Sequence, residues 1–405
     1  MQRRTAHLPL HGGKAPSWLF ERMHRMAGSI VQLIVEDAGP GEMLNRLADP
    51  LWFQAFGCVL GFDWHSSGLT TVTCGAVAEA YRRLGPDLGI HAAGGKGGAS
   101  RKTPEQVARI ADRRGLEGDK LIYASRMSAK VDSAAVQDGY QIYTHHFFFS
   151  DDNNWCVVQQ GMNDANGYAR RYHWLGSTLD SFVCEPHSGV MSPEAKTDRR
   201  GDAGTRRGGG KDGAAAADLF TSVTEPRAEK SADLLNMVAA EAERSRERST
   251  ELARVQPERL LREISAGPSL FMPRHHPVLP KDINPVRLGR VLRLAYERQP
   301  GDFEALLGTP GVGPSTIRSL ALIAELVYGE PACRRDITKR WTPADPPTFS
   351  YAHGGKDGFP FPVDRTTYDR SISLLESAVR RARIDPQGKD QALFRLSGWL
   401  AGTRK

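Results

Sequence analysis

Long hydrophobic runs are absent from this chain of 405 residues. No segment approaches the ~18 consecutive apolar residues that a membrane-spanning helix requires. The first residues, MQRRTAHLPLHGGK, are basic, but no apolar segment with a cleavage site follows them, so they lack the pattern of a secretory signal. We therefore expect a cytoplasmic protein that has no membrane partner.

Cysteine is scarce, since the chain has five cysteines and no CxxC pair. This spacing argues against both a disulfide framework and a thiolate zinc site. The phosphate-binding loop of nucleotide hydrolases is also missing. Its nearest equivalent, AGGKGGASRKTP from Ala93 to Pro104, has Gly97 after Lys96 where that loop needs serine or threonine. We interpret this segment as a mobile basic loop that can track phosphates.

The composition is otherwise that of a soluble globular protein, with 40% hydrophobic and 25% charged residues. The net charge is +7. A positive balance suits a polyanionic partner such as DNA but does not require one.

The chain changes character along its length. From Ala15 to about Val131 it reads mostly as helices, and APSWLFERMHRMAGSIVQLIVEDAG is predicted to stop at Gly39-Pro40. Tyr140 to Met162 is predicted to be a β-hairpin with DDNN as its turn, and RRYHWL and SFVCEPH follow as extended candidates. From about Ser192 to Arg227, glycine and charge replace large apolar residues, which is typical of a flexible linker.

These segments predict an α+β fold. Residues 1–190 form a mixed domain with a central antiparallel hairpin or sheet, which is the candidate catalytic domain. Residues 191–228 are the linker, and residues 229–405 form a mostly helical domain. Within it, SADLLNMVAAEAERSRERSTELARVQPERLLREIS is predicted to be a solvent-exposed connecting helix.

The strongest local motif is DFEALLGTPGVGPSTIRSLALIAELVYGE, near residues 302–328. A short apolar helix leads into a PGVGP turn, and a longer amphipathic helix begins at once. Two glycines permit a tight turn whose N–H groups point outward at a helix N-terminus, where a phosphate is favoured. The motif resembles the helix-hairpin-helix of DNA repair enzymes, which contacts the backbone without reading sequence; the alternative is an ordinary glycine turn. The expected DNA contacts are Gly311, Val312, Gly313, Ser315, Thr316 and Arg318.

The central hairpin region concentrates polar residues beside an apolar FFF run. The candidate catalytic residues are Asp132, Asp138, His145, His146 and Gln159. Asp132, Asp138 and His146 are the predicted ligands of Mn²⁺ or Mg²⁺, which would neutralise a scissile phosphate and activate water. Strand side chains alternate, so His145 and His146 are predicted to face opposite sides, as are Gln159 and Gln160. The alternative is that these residues are structural.

Further segments have two interpretations each. In ARRYHWL, Arg170 and Arg171 stand beside aromatic rings, as in single-stranded nucleic-acid binders, but an edge strand has the same composition. In CEPH, Glu185 and His187 at i, i+2 could be metal ligands, an acid/base pair or a structural pair. The tetrapeptide HGGK occurs twice without any further match, so we interpret Lys14 and Lys356 as belonging to two separate phosphate-contacting loops.

Several long segments resemble one family. They are LPLHGGKAPSWLFERM, KVDSAAVQDGYQIYTHHFFF with WCVVQQGMN and ARRYHWL, and HGGKDGFPFPVDRTTYD. Together they are similar to domain-of-unknown-function family 763, a bacterial and archaeal group. The resemblance implies a cytoplasmic protein with a unique N-terminal domain and a helix-hairpin-helix region. It supplies no catalytic residues.

Three functions follow from these observations. The first is a metal-dependent DNA nuclease of repair or processing, with a carboxylate and histidine site in the hairpin region. The second is a DNA-binding or repair-scaffold protein without catalysis. The third is a base-excision glycosylase, because Asp336 lies downstream of the PGVG turn.

Overall fold

The computed structural model describes residues 4–9, 16–62, 67–164, 167–187, 234–258, 285–334, 339–341 and 364–381. They form an α+β fold in which helices cover both faces of one sheet, so the predicted class is confirmed. None of the helices in these ranges is long and apolar enough to cross a membrane.

The main sheet has six strands in the order β2-β4-β5-β6-β1-β8. All its neighbours pair antiparallel except β1 and β8, which pair parallel. Strands β3 and β7 form a separate antiparallel pair. The strands are β1 (Arg4–Pro9), β2 (Ile90–Lys96), β3 (Val136–Gln137), β4 (Gln141–Ser150), β5 (Trp155–Asn163), β6 (Tyr168–Leu175), β7 (Leu235–Asn236) and β8 (Lys339–Trp341).

The helices fall into two layers, one on each side of the sheet. They are α1 (Ser17–Ala48), α2 (Pro50–Val59), α3 (Gly68–Leu84), α4 (Gly98–Arg101), α5 (Thr103–Arg114), α6 (Gly118–Lys130), α7 (Glu243–Ala253), α8 (Pro285–Arg298), α9 (Phe303–Gly308), α10 (Pro314–Tyr328) and α11 (Arg365–Arg381). A π-helical turn (Val131–Ala135) continues α6 into β3. Short 3-10 turns span Pro86–Leu88, Gly176–Thr178 and Ala240–Ala242.

Alternation along the strands gives the sheet two apolar faces. Phe148 and Val158 pack with α1, α2, α3 and α11 in one hydrophobic core, and we call this side the first face. Phe147 and Val157 pack with α5 to α10 in a second core, on what we call the second face. Each core also contains side chains that follow residues 191–228 in the chain, such as Tyr368 of α11 and Phe303 of α9. The linker predicted at 191–228 lies outside the described residues.

The predicted β-hairpin is confirmed, since β4 and β5 are joined by a turn at Asp151 to Asn154, where Asn153 has a positive φ of 62°. The predicted stop of the first helix at Gly39-Pro40 is confirmed, since Gly39 has a non-helical φ of 84° and ψ of 166°, and α1 consists of two helical segments that meet at this kink. One other prediction needs correction. The segment from residue 234 is not an exposed connecting helix. Strand β7 and helix α7 are separate elements there, and Met237, Val238 and Leu252 are buried in the second core.

Candidate functional site

The central strands carry a band of buried polar side chains through the apolar sheet. His145 of β4 lies opposite Gln159 of β5, which lies opposite Tyr172 of β6. These three side chains point to the second face, whereas Gln160 contacts α3 on the first face. The prediction that His145 and His146, and Gln159 and Gln160, face opposite sides is confirmed by this register.

Asp132 is the centre of a network on the second face. It lies in the π-helical turn and is fully buried, with 0% of its surface exposed. Its Oδ2 accepts hydrogen bonds from Gln159 Nε2 and, at 2.8 Å, from Trp174 Nε1. Its Oδ1 contacts His187 Nε2. Three donors from three different parts of the chain therefore converge on one buried carboxylate.

The network continues through Gln159 to α6. The Oε1 of Gln159 accepts from His145 Nδ1 at 2.7 Å, so Nδ1 carries the proton and Nε2 is left to accept from the Ser125 hydroxyl at 3.0 Å. Burial lowers the pKa of His145 and keeps it neutral. The Ser125 hydroxyl, the His145 imidazole and the Gln159 amide thus form a chain of hydrogen bonds that ends at Asp132. Ser125 is only 2% exposed, so the hydroxyl is enclosed.

A second carboxylate, Asp138, lies near Asp132 on the same face. Its Oδ2 accepts from Arg170 Nη1 at 2.6 Å and from the Tyr172 hydroxyl at 2.7 Å. The side chains of Asp138 and Arg170 are 1% and 2% exposed. Burial, and then the Asp138 charge, raise the pKa of Tyr172 well above its usual value. Asp138 is therefore held in a buried ion pair.

The first face has a polar cluster of its own around Arg171. This fully buried guanidinium donates to Gln54 Oε1 at 2.9 Å, to the Pro50 carbonyl at 3.2 Å and to His173 Nε2 at 2.7 Å. Burial lowers the pKa of Arg171 to about 9. The cation is stabilised by neutral acceptors and by the Phe53 ring, whose centroid lies 4.6 Å away.

The predicted metal ligands do not come together. His146 lies on the first face, where it stacks on Phe148 and where burial lowers its pKa to about 3. Asp132 and Asp138 lie on the second face and are already hydrogen-bonded. Within the described ranges, no group of three or more His, Cys, Asp or Glu side chains is arranged to hold a metal ion. The sheet itself separates this proposed set of ligands.

The predicted surface location of Arg170 and Arg171 is also wrong. They were expected at a nucleic-acid surface, but they are 1% and 0% exposed because β6 is an interior strand covered on both faces. Glu185 and His187, which were predicted to act as a pair, contact different partners. Glu185 Oε1 accepts from the Ala240 amide at 3.3 Å, whereas His187 contacts Asp132. Lys14, Lys356 and Asp336 lie outside the described residues.

Helices α9 and α10 are joined by a tight turn from Thr309 to Gly313. Asp302 caps α9 by accepting from the Ala305 amide at 2.7 Å. Gly311 is exposed with φ of 83°, a value that favours glycine. Val312 is 3% exposed and packs into the second core, so it anchors the turn from below. Gly313 precedes α10 without a side-chain cap.

The predicted contact residues of this turn differ in their access to solvent. Gly311 and Ser315 are exposed, and Gly313 and Arg318 are half-buried. Thr316 is 4% exposed and Val312 is buried, so neither side chain is presented to a ligand. Arg318 donates from Nε to Gln137 Oε1 at 2.7 Å. The backbone of the turn and Ser315 form its accessible part.

The turn is fixed to the segment that carries Asp132. On one side of Asp132, Lys130 donates to the carbonyl oxygens of Leu307 and Thr309 at 2.5 and 2.9 Å. On the other side, Gln137 Nε2 donates to the Pro314 carbonyl at 2.9 Å. Burial lowers the pKa of Lys130. The π-helical turn therefore presents Asp132 to the interior, while Lys130 and Gln137 on either side of it hold the α9–α10 turn.

Sequence reasoning missed several members of the buried networks. Ser125, Trp174 and Tyr172 were not proposed as partners of the acidic residues, and Gln54 and Thr70 were not noticed at all. Gln160, which was only assigned a face, contacts the Thr70 hydroxyl and donates to the Ser67 carbonyl at 3.0 Å. The single available signal was the alternation of polar residues along β5 and β6, which predicts two polar clusters once the sheet is known to be covered on both faces.

Comparison with known proteins identifies a family and no function. The model of the family described as "Protein of unknown function (DUF763)" matches residues 4–200 and 216–363. No curated protein and no solved structure matches the chain.

Proposed function

We propose that this chain, which belongs to the DUF763 family of unknown function, binds the sugar-phosphate backbone of DNA through the α9–α10 turn. The observation that carries the proposal is the turn itself. Gly311 and Ser315 are exposed on it, and α10 is a helix of 15 residues that begins there without a side-chain cap. Such a start leaves backbone N–H groups for an anion.

The environment of the turn supports a rigid backbone contact. Lys130 and Gln137 hold the turn by hydrogen bonds to its carbonyl oxygens, and Val312 holds it by packing into the second core. A pre-ordered turn loses little conformational freedom when a ligand binds. Because its accessible atoms are mainly backbone atoms, the contact would position DNA without selecting a sequence.

Gly313→Ala is expected to weaken DNA binding about 5- to 10-fold, equally for unrelated sequences, by removing a backbone contact of about 1–1.5 kcal/mol. Gly313 has φ of −149°, and an added Cβ would lie 3.9 Å from the Gly311 carbonyl oxygen. The substitution is therefore tolerated by the fold and places a methyl group where a phosphate would approach. Fluorescence anisotropy with two duplexes of unrelated sequence measures the effect.

Gly301→Ala is the matched control, because Gly301 is exposed just before α9 and an added Cβ meets none of the described residues within 4 Å. Gly311→Ala is a poor test, since it combines a φ of 83° with a contact of 3.2 Å to Val291. Equal affinities of the wild type, Gly301→Ala and Gly313→Ala for both duplexes would exclude the turn as the DNA contact.

A second candidate function, metal-dependent hydrolysis of a phosphodiester, is favoured by His187. Its Nε2 contacts the Asp132 carboxylate, while its Nδ1 is buried and has no hydrogen-bond partner among the described residues. A carboxylate behind an imidazole is the arrangement that orients histidine as a metal ligand or a base. Asp132 also lies in a π-helical turn, an element frequent at functional sites.

If this second function is present, the protein cleaves labelled single-stranded, duplex or forked DNA with Mn²⁺ or Mg²⁺ and not with EDTA. Asp132→Asn is then expected to reduce cleavage at least about 100-fold while DNA binding is retained, because the carboxylate that orients His187 as base or ligand is lost and the turn is unchanged. Asp152→Asn in the β4–β5 turn is the control. If no DNA is cleaved with Mn²⁺ or Mg²⁺, or if Asp132→Asn is fully active, hydrolysis at this site is excluded. DNA binding then remains as the proposed function.

A further inference from the structure

A band of unpaired positive charge lies on the same side of the sheet as the α9–α10 turn. It is formed by the exposed side chains of Lys96, Arg101, Lys102, Arg109 and Arg113, and we call it the α5 basic surface. None of these five cations makes an ion pair within the part of the chain that the structure describes. Some exposed cations elsewhere are paired with carboxylates, as Arg114 is with Asp151, whereas others, such as Arg126 and Arg370, stand singly and belong to no comparable band of described residues.

Helix geometry explains why the charges form a band. Lys102, Arg109 and Arg113 are spaced i, i+7 and i+11, so they follow one side of α5. The buried residues Val107 and Ala111 occupy the other side of the helix. The exposed acids of α5, Glu105 and Asp112, lie at i−4 and i+3 from Arg109, about 40° and 60° away around the helix axis, and neither makes an ion pair with it within the described residues. The three cations therefore face solvent along one side of α5 without an ion pair.

Hydrogen bonds order the glycine-rich segment before α5, from Ala93 to Lys102. The Gly94 amide donates to Gln106 Oε1 at 2.7 Å and the Gly97 amide to the Tyr143 carbonyl at 2.8 Å. The Ser100 hydroxyl donates to the Gly97 carbonyl at 2.6 Å, and Lys96 lies over the Tyr143 ring at 5.5 Å. The expectation of a mobile basic loop is therefore corrected: the segment is ordered as the end of β2, which presents Lys96, the short helix α4 and the start of α5.

We infer that the α5 basic surface is a second contact for the DNA that the α9–α10 turn binds. Both features belong to the layer on the second face, where α5, α6 and α9 share one core. From residue 102 to residue 113 the helix rises about 16 Å, which corresponds to about five phosphates of one strand. Unpaired cations at this spacing fit a phosphate backbone and do not read bases. The inference depends on the proposed function.

The test is the salt dependence of DNA affinity. Arg109→Ala and Arg113→Ala are each expected to reduce the slope of log K against log salt concentration by about 0.9 for duplex DNA, and the double variant by about 1.8, because each cation neutralises one phosphate. Arg370→Ala is the control, since Arg370 is an exposed cation of α11 on the opposite side of the sheet. Its slope is expected to equal that of the wild type.

The possible outcomes separate this inference from the proposed function. Equal losses of slope in the α5 variants and in Arg370→Ala would show a general effect of net charge and would overturn the inference. Unchanged slopes in the α5 variants, with weaker binding by Gly313→Ala, would overturn it while the turn remained the DNA contact. Absence of DNA binding by the wild type would overturn both.

Discussion

Replacing Asp132 by leucine is expected to lower the free energy of unfolding by about 3–5 kcal/mol, because each buried donor left unpaired costs about 1–3 kcal/mol. The donors are Trp174 Nε1 and His187 Nε2, and Gln159 Nε2 keeps only the Ser128 carbonyl at 3.0 Å. All of these groups lie in the covered interior. Urea unfolding of the purified variants measures the change.

Asp132→Asn is the informative comparison, and it is expected to cost only about 1–2 kcal/mol. The asparagine oxygen can still accept from Gln159 and Trp174. Its amide nitrogen can donate to His187 Nε2 once the imidazole proton moves to Nδ1, an atom without a hydrogen-bond partner in the part of the chain that the structure describes. Asp112→Asn on the exposed side of α5 is the control and is expected to change stability by less than about 0.5 kcal/mol. Equal costs for leucine and asparagine would contradict this hydrogen-bond network.

The parts of the fold that the sequence predicted are those governed by local periodicity. The alternation along β4 and β5 is enough to place His145 and His146 on opposite faces, because strand side chains must alternate. The DDNN turn followed from turn preferences in the same way. The break at Gly39 was predicted, but the sequence could not show that Pro40 begins a further helical segment immediately after it.

The buried charges could not be predicted, because their partners come from distant parts of the chain. Arg171 is stabilised by Gln54, which is 117 residues away. Arg246 was placed on an exposed helix, yet it donates to the carbonyl oxygens of Met237 and Ala239 at 2.8 and 2.7 Å. A charged residue is expected at the surface unless it is paired, and hydropathy alone cannot show such pairing.

The same reasoning explains the candidate site. Asp138, His145 and His146 were selected because polar residues beside the FFF run are costly unless they are used or paired, and Asp132 and Gln159 came from the same polar segment. The structure brings Asp132, His145 and Gln159 together and adds His187, which only a fold can place beside a residue 55 positions earlier. Local polarity in the sequence was enough to locate the cluster. It could not show which of its side chains lie on the second face of the sheet, where the π-helical turn places Asp132.

Gly94→Ala is expected to lower stability by at least about 3 kcal/mol, through backbone strain and a steric clash. Gly94 has φ of 102°, and an added Cβ would lie 2.1 Å from the His145 carbonyl oxygen and 3.0 Å from Thr103 Oγ1. Neither the β4 backbone nor the start of α5 can move away freely, since β2 pairs with β4 along its length. The clash therefore forces β2 and β4 apart beside His145. A fall in Tm, measured by circular dichroism, reports the loss.

Gly98→Ala is the matched control from the same glycine-rich segment. Gly98 has no positive φ, and an added Cβ there meets nothing within 4 Å, so stability is expected to change by less than about 0.5 kcal/mol. A Tm for Gly94→Ala equal to that of Gly98→Ala would mean that β2 does not approach β4 this closely. The contrast between the two variants assigns a structural reason to Gly94, where a close approach of two strands requires glycine, and leaves Gly98 as the exposed first residue of α4 beside the α5 basic surface.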